Sequence, residues 1–547
     1  MKKIAFKNFR RFQNFPILEL GNISIMVGRN NSGKSTMVKA LLLVLDYLQN
    51  QQYNEFSFTN NSLENANIVT FGRAKNNKSD SNEIIFDLEL DSFFISLFIY
   101  GDDEDTNANV SKLTITDDVS KIYYEINYNQ KTIRISKKNS RAVETDMYSY
   151  LTLKNELIEL KIEINKKDFK KNTSEGLRIL DRFNSLNEKQ NDYLQIFEKE
   201  KGTESNLFNI MYPLKQDIEN KTEDTFLQEF ISDFIFLNDA EIKKLKNIRN
   251  NYVHNASNFE DSLNELFINN KENDEEYNKP LIQELEEKIQ ELVDIDNYKS
   301  DLTKSIDNVV KAIKAVQVYY LGANPSKQSA LFSIRDKQNN LAQAIHDFKQ
   351  SKILKGDKEY EFVKFWMNEF EVGQDFHIEF YAGEAYEFYV FDKEGNKAHL
   401  ADKGMGSLQA MMLILRVATI MRKHKKTMKY VTIIVEEPEL NLHPALQSKL
   451  ASFFHTVNTE YGIEFIIETH SEYLIRKVQL FVVENGYTNQ EGLNPNPFNV
   501  NYFDVDHGPY KMNFTDNGKF DRNFGEGFYD EASKNTLALM QKQRKKD

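Results

Sequence analysis

The chain has no cysteine among its 547 residues, which excludes disulfides, thiol nucleophiles and cysteine-based zinc sites together. No apolar run approaches the roughly 20 residues of a membrane span. The opening stretch, Met1-Lys2-Lys3-Ile4-Ala5-Phe6-Lys7-Asn8-Phe9-Arg10-Arg11, is basic and alternating, without the apolar segment of a signal peptide. The expected compartment is therefore the cytoplasm, with no membrane partner. A positive excess is missing too. The formal net charge is -13, which argues against a surface given over to DNA or RNA. Internal repeats and long low-complexity tracts are absent. What remains, 40% hydrophobic and 28% charged residues, is the composition of a folded soluble protein, and the length implies two or three domains.

Against that background one stretch organises the rest: Gly28-Arg29-Asn30-Asn31-Ser32-Gly33-Lys34-Ser35. It follows the apolar run Ile23 to Val27 and opens a helical pattern from Met37 to Leu43, the strand, loop and helix order of a P-loop. Gly28 and Gly33 allow the backbone to wrap closely around phosphates. The amides from Asn30 through Asn31, Ser32 and Gly33 to Lys34 can point inward, and the helix N-terminus that continues through Thr36 adds partial positive charge. Lys34 is expected to reach the β- and γ-phosphates of ATP, and the Ser35 hydroxyl to ligate Mg²⁺.

A first strand is expected at Ile4–Phe9, paired with Ile17–Leu20, and the alternating segments Glu83–Leu88, Phe93–Tyr100, Lys112–Ile115, Ile122–Tyr128 and Thr132–Ile135 predict an antiparallel sheet added beside the nucleotide-binding core. From about 174 to 320 the period becomes helical. Leu281, Leu285, Ile289, Leu292 and Ile295 mark one amphipathic helix, read as a face of a helical bundle. Helical patterns follow at Asn340–Phe348 and Phe362–Phe370, and strands resume at Phe376–Phe380 and Tyr386–Phe391. The expected domains are an N-terminal lobe (1–170), a helical insertion (171–345), a C-terminal lobe (346–510) and a tail (511–547).

Val431-Thr432-Ile433-Ile434-Val435 has the β-branched continuity of a strand buried on both faces. It ends in Glu436-Glu437-Pro438-Glu439, and adjacent carboxylates there are costly unless a cation or proton is near. The C-terminal end of such a strand is also where ligands bind in an open α/β sheet. Glu436 is expected to hold the Mg²⁺ shell, and Glu437 to orient and deprotonate an attacking water. A further apolar strand, Phe465–Ile467, leads to Glu468-Thr469-His470-Ser471, where His470 can either sense a γ-phosphate or serve as a structural histidine. Upstream, Ala401-Asp402-Lys403-Gly404-Met405-Gly406-Ser407 is a second glycine-rich loop feeding a helix, hence a second phosphate-facing element.

Taken in order, these motifs resemble the ABC-type ATPase heads of the SMC, RecF and OLD group. The resemblance covers roughly 1–150 and 370–510. GRNNSGKS, ADKGMGSLQ, TIIVEEPE, LNLHP and ETHS stand at the positions of that group's P-loop, signature loop, Walker B strand, D-loop and histidine switch. It implies an α/β fold: an ABC-type P-loop ATPase head with an added antiparallel β-subdomain and a helical insertion. It further implies a homodimer or higher oligomer sandwiching ATP, with Gly404, Gly406 and Ser407 acting in trans and His470 touching the γ-phosphate. The signature departs from the usual LSGG-type sequence, and glutamate replaces the commoner aspartate at 436. The glutamine of the Q-loop has no clear counterpart. The tail holds no acidic DxD cluster, so the Toprim nuclease of OLD proteins is expected to be missing.

Heads of this size resemble the ATPase subunits of bacterial anti-phage systems such as Septu and PARIS (PtuA- and AriA-like), which implies a separate nuclease or toxin as partner. Two alternatives stand beside this. Arg249-Asn250-Asn251-Tyr252-Val253-His254 fits the R-N-x-x-x-H pattern of HEPN ribonucleases, so Arg249 and His254 are either an RNA-cleaving pair or a surface or packed pair. A RecF-like DNA-repair ATPase is the other. Local basic clusters at Lys137-Lys138, Lys166 to Lys171 and Arg422 to Lys426 are candidate nucleic-acid contacts or ordinary solvated faces.

Overall fold

The structure is a computed structural model. It describes most of residues 1–137, the strand 143–146 and most of 301–543; between 147 and 300 it describes only 164, 177–180 and 183–184. Arg249, His254 and the Leu281 to Ile295 stripe lie outside the described residues.

The N-terminal half supplies ten strands: β1 (Lys3–Phe9), β2 (Phe12–Glu19), β3 (Ile23–Gly28), β4 (Glu55–Ser57), β5 (Glu83–Leu90), β6 (Phe93–Tyr100), β7 (Asn107–Asp117), β8 (Ile122–Asn127), β9 (Thr132–Lys137) and β10 (Val143–Asp146). All but β3 form one antiparallel sheet in the order β10-β9-β8-β7-β6-β5-β1-β2, with β4 beside β7. The burial pattern of β5, with every second residue buried, shows why: alternation presents one face to a core.

The C-terminal half supplies β11 (Gln317–Leu321), β12 (Phe332–Ser333), β13 (Asp375–Tyr381), β14 (Ala385–Phe391), β15 (Lys397–His399), β16 (Val431–Glu436), β17 (Glu464–Thr469), β18 (Phe498–Asp504) and β19 (Gly508–Met512). A small sheet joins β12, β14, β13 and β15. The central sheet runs β11-β16-β17-β3-β18-β19. It is parallel from β11 to β18 and closed by the antiparallel β19. Strands from both ends of the chain thus build one sheet. The strand β11, at the end of the segment expected to be helical, is a finding that the sequence pattern did not give; it pairs over five residues with β16.

Both faces of the central sheet are covered. Met26, Ile434, Ile466 and Phe503 pack with the antiparallel sheet and with helix α1 (Lys34–Asn50). Ile25, Val27, Ile433, Val435, Ile467 and Val500 pack on the other side with the helices of the C-terminal half. Near-continuous apolar runs are what such double coverage requires. The fold is accordingly mixed α/β, with the large antiparallel sheet stacked beside the P-loop helix.

Candidate nucleotide site

The site lies at the carboxyl ends of β3, β16 and β17, where α1 starts. Every residue of β3 is buried. Gly33, the last loop residue, has φ 107, and a Cβ there would stand 2.4 Å from the Phe12 ring. Only glycine meets both demands. Asn31 is also left-handed, with φ 62, a conformation asparagine tolerates better than most residues. Arg11 pins the loop from above, donating to the Asn31 carbonyl and, at 2.7 Å, to the Val505 carbonyl. Asn30 and Asn31 are exposed, whereas Ser32, Gly33, Lys34 and Thr36 are buried.

Lys34 is 3% exposed. Its Nζ donates to the carbonyls of Gly28 at 3.0 Å and Arg29 at 3.1 Å, and lies 3.7 Å from a Glu468 oxygen. Burial lowers its pKa, opposed by the carboxylates of Glu468 and Glu437. The Ser35 hydroxyl is 2.9 Å and 3.1 Å from the two Glu468 oxygens and donates to that carboxylate. The Ser32 Oγ is fully buried without a hydrogen-bond partner. An orphaned hydroxyl inside a glycine-bounded cradle fits an anionic ligand, because a buried polar group left unpaired is costly.

Across from the loop stand the strand-end carboxylates. Glu436 ends β16 and pairs laterally with Glu468 of β17. Burial raises the pKa of Glu436, while the Tyr320 hydroxyl hydrogen-bonds to it and Lys39 stabilises its charge. Glu437 turns the chain: its φ is 46, and its amide donates to the Glu468 carbonyl at 2.7 Å. A non-glycine residue held there costs roughly 1–3 kcal/mol and persists only because its surroundings fix it. Glu439 is 9% exposed and accepts the His470 amide at 2.6 Å, with its carboxyl pKa raised by burial.

His470 Nε2 lies 3.8 Å from a Glu437 oxygen. Burial and the Lys34 charge push its pKa down to about 4. At neutral pH the imidazole is therefore uncharged, and the contact with Glu437 is one between a neutral ring and a carboxylate rather than an ion pair.

The glycine-rich loop 401–407 sits elsewhere. Gly406 lies in the first turn of α5 (Met405–Thr427), which follows in chain order α2 (Phe71–Ala74), α3 (Asn340–Gln350) and α4 (Lys358–Glu369). A Cβ on Gly406 would stand 2.5 Å from the Asn441 carbonyl, so the loop is packed against the turn after β16. Gly404 is exposed, with nothing within 4 Å of an added Cβ, and the Ser407 amide donates to the Gly404 carbonyl at 2.9 Å. Gly406 thus packs on the Asn441 turn, and Ser407 bonds within its own turn. His443 caps α6 (Pro444–Tyr461), accepting the Ala445 amide at 3.3 Å, with Pro444 in the first turn.

Three residues of the site escaped the sequence reading. Glu468 closes an apolar strand, the same signal that marks Glu436, but the sequence pattern alone assigns it no role. Tyr320 and Lys39 carry no local signal, since only the pairing of β11 with β16 and the position of α1 bring them to Glu436. Among the basic clusters, Lys137 is ion-paired with Asp301 at 2.7 Å, and Arg422 with Asp357 at 3.2 Å and Glu359 at 3.3 Å. Those two cations are engaged within the fold.

The residues present fit a nucleotide and its cation. Magnesium takes one or two carboxylates, a hydroxyl, phosphate oxygens and waters, and Ser35, Glu436 and Glu468 form such a donor set. A protein-family comparison agrees in kind: the AAA ATPase domain family matches residues 1–475. The chain belongs to the AAA ATPase domain family. No curated protein matches it. Among solved structures, the Smc head domain with an extended coiled coil from Pyrococcus furiosus, bound to the C-terminal domain of ScpA, shares 10% identity over 99% of each chain, at a TM-score of 0.32. The Smc head domain with a coiled coil and joint from Pyrococcus yayanosii shares 11% identity over 94% of this chain and 97% of that one, also at 0.32. At that level of superposition neither adds to the family assignment. Among the described residues, no helix is long and apolar enough to cross a membrane.

Proposed function

We propose that this protein binds ATP with Mg²⁺, hydrolyses it, and pairs with a second copy around the nucleotide. The observation that carries the reading is the meeting of Lys34 and Ser35 with Glu436, Glu437 and Glu468 at three strand ends. Lys34 exchanges its carbonyl partners for the β- and γ-phosphates. Ser35 and Glu436 would hold the cation, which would supply neutralisation of charge on the phosphate oxygens. Glu437, half-exposed at the mouth, orients a water and takes its proton. His470, neutral, donates a hydrogen bond to the γ-phosphate and loses that partner when phosphate leaves. Gly404, Gly406 and Ser407 face the nucleotide of the partner copy, in keeping with the open space at Gly404.

The purpose we assign to this cycle, control of a separate nuclease or toxin in anti-phage defence, rests on the sequence resemblance alone. The biochemical core is tested directly. Glu437→Gln with ATP should double the light-scattering mass and lower turnover about a hundredfold or more. Lys34→Ala should bind ATP at least tenfold more weakly and stay monomeric. A mass indifferent to ATP in both wild type and Glu437→Gln would sink the dimer, and absence of ATP turnover in wild type would sink the hydrolase.

A further inference from the structure

We propose that Glu468 is a direct ligand of the divalent cation accompanying the nucleotide, completing a set with Ser35 and Glu436. This rests on the ATP-binding reading of the same site. The sheet register places the residue. β16 and β17 are parallel with Glu436 opposite Glu468, and the residues two positions earlier, Ile434 and Ile466, share the core on the α1 side of the sheet. Alternation then puts both carboxylates on that same side, next to each other, at the end where α1 begins.

Donor arithmetic supplies the second argument. Glu468 is 6% exposed, and a carboxylate has about four acceptor positions. Both of its oxygens lie within 3.1 Å of the Ser35 hydroxyl, but a hydroxyl has one proton to give. Lys34 is 3.7 Å away and already donates to two carbonyls. The Tyr320 hydroxyl is directed at Glu436 instead. A buried carboxylate so short of donors, with a second carboxylate at its side, calls for a cation. The Ser35 oxygen lies against the Glu468 carboxylate, and the strand register sets Glu436 beside it. Magnesium sites of this type take two carboxylates and leave the remaining positions to phosphate and water.

The natural absence of cysteine makes the assignment testable by a change of metal. Mn²⁺ affinity of the ATP complex, followed by electron paramagnetic resonance, should fall about tenfold or more in Glu468→Gln. In Glu468→Cys the only thiolate of the chain would sit at the cation, so Cd²⁺·ATP should bind better than Mg²⁺·ATP and show a thiolate-to-metal band in the ultraviolet. Unchanged Mn²⁺ affinity in Glu468→Gln, or Cd²⁺·ATP bound to Glu468→Cys without that band, would overturn the proposal. Tighter metal-free ATP binding by Glu468→Gln with Mn²⁺ affinity unchanged would make Glu468 a competitor for Lys34 and Ser35 instead. A wild-type protein that binds no ATP with or without metal would overturn the nucleotide reading as well, and is told apart by that control.

Discussion

Glu468 and His470 stand two residues apart, and the same burial moves them in opposite senses. Glu468 is pushed up to about 7 by burial and the neighbouring Glu436, and His470 down to about 4 by burial and Lys34. Each shift favours the neutral form. The signs for stability follow. His470 has a folded pKa below its unfolded value of 6.5, so what it contributes is present above that value and is lost as pH falls towards 4. Glu468 has a folded pKa above its unfolded value of 4.5. Its protonated form is favoured, the cost of its charge is fully felt above about 7, and that cost fades as pH falls towards 4.5. Glu468→Gln, without nucleotide or metal, should therefore be more stable than wild type at pH 8 by roughly 1–3 kcal/mol, and the gain should shrink by pH 5. Thermal unfolding at the two pH values measures it; a variant less stable at pH 8 would show that the charge of Glu468 is stabilising.

At the scale of elements, the helix α5 is informative because its first turn makes two different demands. Gly406 is pressed against the Asn441 carbonyl, at a turn where Asn441 itself has φ 63. Gly404 has open space around it. Gly406→Ala should disturb the turn after β16 and lower the melting temperature by a few degrees, the expected result of about 1–2 kcal/mol of overpacking in a chain of this size. Gly404→Ala should leave the melting temperature of the monomer unchanged, since the added methyl meets open space in its own chain, yet on the proposed trans arrangement it should lower ATP turnover. Full turnover in Gly404→Ala would argue against a signature loop acting in trans.

At the scale of the whole molecule, the central sheet belongs to two cores at once. Ile466 points into the core shared with the antiparallel sheet and α1, and Ile467 into the core shared with the C-terminal helices. Removing either side chain to alanine costs about 2–5 kcal/mol, and because β17 serves both cores the two variants should shift the same calorimetric transition. Two transitions, with each variant moving only one, would show that the halves unfold independently. Coupling of this kind also bears on function: α1, β16 and β17 carry Ser35, Glu436, Glu468 and the turn to His470, so a change at the phosphates acts on elements that both cores hold.

How far these features were legible in the sequence depends on their range. Strand, loop and helix around Lys34 were readable because glycine positions and apolar runs are local properties of the chain. The same holds for the alternating strands of the antiparallel sheet and for Glu436 and Glu437 after a continuous apolar run. The strand β11 was hidden inside a segment whose average pattern is helical, and its place is fixed by pairing with β16, more than a hundred residues away in the chain. Glu468 was in plain view but without a role, because only the lateral register of β17 against β16 sets it beside Glu436. Tyr320 reaches Glu436 through the pairing of β11 with β16, and Lys39 through the position of α1. By itself the sequence determined that a phosphate-binding loop faces a pair of strand-end glutamates, since spacing along one chain dictates which residues close a strand or open a helix. Which further side chains meet there, and that five of six central strands come from beyond residue 316 while β3 is inserted among them, was decided by strand pairing between distant segments, a choice made by the burial of two faces at once and not by any local preference.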